Sequence, residues 1–147
     1  MTFPKNIRMG GITAPIRKIK GLIKSKGIMG RATSYTDSDK QWHVMLDKGM
    51  GKTDMVDTLL HESLHLLSEK NRLNLKEGQV EKLSTSILNG LRGGKLTIAA
   101  LKDTIARMSP RMGLDDTQTA KLQKGLAYVL THNPKYRRVI KNWVEKS

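Results

Sequence analysis

Cysteine is absent from this chain, and aromatic residues are scarce, with one Phe, two Trp and three Tyr in 147 positions. Without thiols there is no disulfide scaffold, no thiolate zinc finger and no cysteine nucleophile. No stretch approaches 18 consecutive apolar residues, so no transmembrane helix is expected. Residues 1–8 have neither an apolar h-region nor a signal-cleavage pattern. The expected setting is the interior of a cell, in the cytoplasm. Acidic residues are also few: 13 Asp+Glu stand against 27 Lys+Arg, a formal net charge of +14. At this length one domain is expected, and 37% hydrophobic residues suffice for one modest core.

The positive charge points to an acidic partner, with nucleic acid first. Its distribution divides the chain. Residues 1–60 carry 11 basic and 5 acidic side chains, residues 61–94 carry 5 and 4, and residues 95–147 carry 11 and 4. The excess therefore sits on the flanks. Arg17, Lys18, Lys20, Lys24 and Lys26 lie within ten residues and include no acid. Such flanks suit phosphate contacts without sequence preference, although no nucleic-acid-binding signature accompanies them.

Alternation and turn residues predict strands in the first third. Residues 5–9 read as a short strand. Residues 15–26 fit a helix through Ile16, Ile19 and Ile23, or a strand through their β-branched content. Residues 31–36 and 41–46 read as a hairpin, with Trp42, Val44 and Leu46 on one face. The remainder reads as helices at about 54–70, 76–91, 97–108, 115–132 and 135–145, punctuated by Gly93-Gly94, Pro110 and Pro134. Gly49-Met-Gly-Lys-Thr53 sits between strand and helix like a phosphate-binding loop, but Leu46 occupies the position of that motif's first Gly. A turn capped by Thr53 or Asp54 is the expectation there.

The sharpest signal is His61-Glu62-Ser63-Leu64-His65. Two imidazoles at i and i+4 project from one helix face and can reach one zinc ion, with the intervening Glu beside a metal-activated water. Val56, Leu60, Ser63 and Leu67 fall on the opposite side of that helix, so the apolar stripe is expected to be buried and both His to face a cleft. A catalytic zinc takes three protein ligands, and without Cys the third must be His43, His132 or a carboxylate. Asn74 and Glu77 fit a capping box, as N-cap and N3 partner, which would occupy Glu77. Glu81, bordering the apolar stripe Val80, Leu83, Ile87 and Leu91, is the favoured third ligand. Tyr35, His43, Tyr128 and His132 are the available oxyanion partners, with nothing in the sequence to choose among them.

Residues 58–67, TLLHESLHLL, followed by residues 77–83, EGQVEKL, resemble the small HExxH metallopeptidase-like proteins of phages and prophages. These are loosely grouped with the ImmA/IrrE-type and SprT-like metallopeptidases. The resemblance spans about residues 3–92. It implies an α+β, minimal zincin-like fold: a small N-terminal sheet packed on the HExxH helix, then a mainly helical C-terminal half. It also implies His61, His65 and Glu81 as zinc ligands, Glu62 as catalytic acid/base, and a host cytoplasmic location for a phage-encoded protein. Residues 1–94 would be the metallopeptidase core, and 95–147 a basic helical region packed on it as one domain. The edge on which a substrate peptide adds as a strand would be residues 41–46. The expected function is zinc-dependent peptide hydrolysis. The alternative is a basic nucleic-acid-binding or protein-interaction module with a structural or inactive zinc site.

Overall fold

A computed structural model describes residues 3–21, 30–33 and 42–146. Its strands are β1 (Asn6–Arg8), β2 (Thr13–Ile19), β3 (Gly30–Thr33) and β4 (His43–Asp47). They form one sheet in the order β1-β2-β4-β3. The ambiguous segment from Pro15 resolves as a strand as far as Ile19, and the rest of it, from residue 22, lies outside the described residues. Register explains how a proline fits inside this sheet. Pro15 pairs with Asn6 of β1, whereas the pairing with β4 begins only at Ile16 opposite Val44. The missing N–H therefore falls where one ladder hands over to the other.

β3 and β4 pair antiparallel, as the hairpin reading requires, with Gly30 opposite Leu46 and Thr33 opposite His43. The tip of that hairpin lies outside the described residues. β4 is not the sheet edge expected for residues 41–46. It also pairs in parallel with β2, which leaves β3 at the edge. Val44 and Leu46 are buried, and β4 packs against the first helix.

The helices are α1 (Lys52–Lys70), α2 (Glu77–Leu91), α3 (Ile98–Met108), α4 (Asp116–His132) and α5 (Pro134–Glu145), with a 3-10 turn at Ser109–Met112. The architecture is thus α+β and mostly helical. α1 starts after Gly51 rather than at a Thr53 or Asp54 cap, and the Asp47 carboxylate accepts the Gly49 N–H at 2.7 Å in the preceding turn. Thr97 and Asp115 cap α3 and α4 through their side chains, each satisfying a free amide of a first turn. Gly90 lets α2 and α3 approach closely, since a Cβ there would lie 2.7 Å from Thr104 Cγ2.

One buried core runs from Ile7 and Val44 through Leu59, Leu83 and Leu122 to Val144. Polar clasps tie the chain ends into it. The buried Asn133 side chain accepts from Arg8 N–H at 2.7 Å and donates to Arg8 C=O at 3.0 Å and Val129 C=O at 2.8 Å. Near the other end, Gly93 N–H donates to Val144 C=O and Leu96 N–H to the Glu145 carboxylate.

A candidate metal centre

α1 is the central helix, and its burial is wider than one apolar stripe. Val56, Leu59, Leu60, Ser63, Leu64, Leu66 and Leu67 are all buried, and so is Glu62 at 5% exposure. The partly open line along the helix is Asp57, His61, His65 and Glu69, at near-i, i+4 spacing. Both His therefore do face outward, as the spacing predicts. The buried Ser63 hydroxyl behind them donates to Leu59 C=O at 2.6 Å and accepts from Tyr136 at 2.9 Å, so the helix is pinned from its rear. Burial pushes the Tyr136 hydroxyl well above the ordinary phenol range, which keeps it a neutral donor.

The two imidazoles converge. His61 Nε2 and His65 Nε2 lie 3.2 Å apart, with their rings in an edge-on arrangement. Glu77 of α2 completes the group, with Oε1 at 2.8 Å from His61 Nε2 and Oε2 at 2.7 Å from His65 Nε2. Among the described residues this is the one set of three side chains with metal-holding geometry, all ligand atoms lying within 4.8 Å of one another. Glu62 Oε1 is 3.8 Å from His61 Nε2.

The carboxylate that meets the two His is therefore Glu77, and Glu81 is not part of the cluster. The cause is the start of α2. Asn74 has a left-handed φ of 55° and cannot serve as N-cap; the cap is Lys76, whose N–H donates to Gln79 Oε1 at 2.9 Å. Gln79 thus does the work assigned to Glu77, and Glu77, at the first helical position, is released toward α1. The turn between the helices is fixed by Leu73 N–H on Ser68 C=O, Leu75 N–H on Ser68 Oγ, and the Gln118 side-chain amide on Leu73 C=O. Glu81 is exposed one turn further along α2, where its charge acts on Asp57.

Electrostatics around the cluster are uneven. Burial holds His65 below the usual imidazole range, and His61 pushes the same way, against the pull of Glu77. Asp57, one turn before His61, was not singled out by its sequence context. Its carboxyl is raised by burial and by the nearby Asp54 and Glu81, despite a Ser84 hydrogen bond and the opposing influence of His61. Its Oδ1 is buried without a hydrogen-bond partner among the described residues. The i−4 offset from His61 is the signal that could have drawn attention to it.

The remaining sequence candidates lie elsewhere. His43 is half-buried on β4 and outside the cluster; Tyr128 and His132 stack on each other on α4, with ring centroids 4.0 Å apart. Tyr35 lies outside the described residues. Comparison with protein-family models, characterised proteins and solved structures finds no match.

The donor set suits zinc. Bonds of 2.0–2.1 Å in a tetrahedron set two ligand nitrogens about 3.3 Å apart, and the imidazole nitrogens stand at 3.2 Å. The Glu77 oxygens sit closer to the nitrogens than such a tetrahedron needs; this side chain is 66% exposed, and an ion would take the place of its direct contacts with the two imidazoles. Three such ligands would leave one position of a four-coordinate ion open.

Proposed function

We propose that this chain is a zinc-dependent metallopeptidase of the small HExxH type, related to the phage and prophage proteins it resembles and working in the cytoplasm on a protein or peptide. The observation that carries the reading is the meeting of His61, His65 and Glu77 at one point, with the buried Glu62 carboxylate beside it. In this reading His61, His65 and Glu77 hold the ion. Zinc there supplies Lewis-acid polarisation and acidification of a water. Glu62 receives the proton of the attacking water and returns it to the leaving amine. Its burial restricts rotamers and excludes competing solvent, which suits a group that must hold one proton at one place.

Metal analysis with activity on an unstructured protein tests this. About one zinc per chain should survive loading and mild dialysis. His61→Ala and His65→Ala should lose it, whereas Glu62→Gln should keep it and lose hydrolysis by about 10²-fold or more. A wild-type chain that retains no zinc overturns the reading. One that retains zinc but cleaves no peptide leaves a structural metal site.

A further inference from the structure

A second site lies on the far side of α1. Taking 100° per residue, Leu67 and Lys70 project roughly opposite to His61 and His65. There, between the end of α1 and the face of α4, lies an open pocket of about 470 Å³. Four cations line it, Lys70 and Arg72 from the end of α1 and Lys121 and Lys124 from α4, and no acidic side chain does. None of the four forms an ion pair among the described residues. Four like charges around one small space repel each other unless an anion sits among them.

Four further features shape this pocket. Gly125 forms part of the wall, and a Cβ there would come within 3.0 Å of Leu67 Cδ2 and 3.3 Å of Asn71 Nδ2, so the missing side chain lets α4 pack closely on the end of α1. Arg72 is held at a φ of 54°, a left-handed conformation that Gly or Asn adopts more readily. At the end of α1, Leu67, Ser68 and Glu69 C=O accept from Asn71, Leu73 and Arg72 N–H, which fixes the turn that carries Arg72. Tyr128 closes the set. It is the large hydrophobic side chain left exposed among the described residues, at 37%, it lines the cavity, and it lies one turn beyond Lys124.

We propose that this cavity binds a nucleotide unit, its phosphates held by Lys70, Arg72, Lys121 and Lys124 and its base stacked on Tyr128. The volume falls within the range of small-ligand sites. A cationic wall beside an exposed aromatic is the combination that holds single-stranded nucleic acid, with phosphate neutralised and base stacked. An acidic peptide would use the cations and leave the ring idle. The nucleotide can come free or as part of a strand, and the site is independent of the metal centre.

Fluorescence anisotropy of the full chain at about 50 mM salt, with a labelled 12-nucleotide oligothymidylate and with a fluorescent ADP, tests the assignment. The K121E/K124E double variant changes two exposed positions, so its circular dichroism should match the parent. Its binding should weaken at least tenfold, with a shallower salt dependence. Y128A should weaken binding by roughly tenfold, the scale of one stacking contact. R72G should raise the melting temperature while weakening binding. H61A should leave binding unchanged, which separates this site from the metal reading. Binding of ADP alone, with displacement of the oligonucleotide, assigns a free nucleotide; binding of the oligonucleotide alone assigns a strand. The proposal is overturned if neither probe binds, if both bind K121E/K124E as they bind the parent, or if oligoglutamate or pyrophosphate displaces the probes as well as ADP does.

Discussion

Glu77 and Glu81 are chemically identical and one helical turn apart, yet they stand in different relations to the two His. Glu77→Gln should weaken zinc binding by at least about tenfold, and Glu81→Gln should change it little; a chelator competition titration reads both. The His-Glu-His part of the site is legible in sequence because its geometry is internal to one helix, where spacing alone sets direction. The carboxylate that meets the two His is not, because it depends on the residue at which α2 begins. That start was set by a left-handed Asn74 and by Gln79 as the capping partner, neither of which the Asn-x-x-Glu pattern signals. Asp57 carries a pH consequence. Its folded pKa is raised above 3.8, so the protonated form is favoured by folding. The contribution is present below pH 3.8 and is lost as pH rises through the folded value. Asp57→Asn in the metal-free protein should therefore melt higher than the parent at pH 7, with the difference shrinking toward pH 3.5.

At the scale of elements, all five helices lie within about two residues of the sequence reading, although α1 and α2 are entered through Gly51 and Lys76 rather than through the expected caps. The sheet was less legible. Alternation identified β4 and its antiparallel partner, but not the parallel pairing with β2, because a parallel ladder leaves no local turn to read. Asn133 is the element-level joint most open to test. Asn133→Ala would leave Arg8 N–H and C=O without their partner in a half-buried setting, at a cost of about 2 kcal/mol in chemical denaturation. Arg72→Gly relieves a left-handed Arg and should gain about 1 kcal/mol in the same assay.

The whole molecule places the metal cluster and the cationic cavity on opposite sides of one central helix. Zinc should act on global stability through that helix. With free zinc at about 100 times its Kd, the folded state gains about 2.7 kcal/mol, or about 5–10 °C in Tm for a chain of this size. Chelator should reverse the shift, and His65→Ala should abolish it.

The clasp between Arg8 and Asn133 joins residues 125 positions apart. On a ribosome adding about 5–20 residues per second, β1 emerges and then waits about 6–25 s for the side chain that receives its backbone. During that interval β1 can pair with β2, but Arg8 N–H and C=O have only water or a chaperone in place of Asn133, so nascent chains stalled before residue 133 should be more protease-sensitive at their N-terminus than released ones.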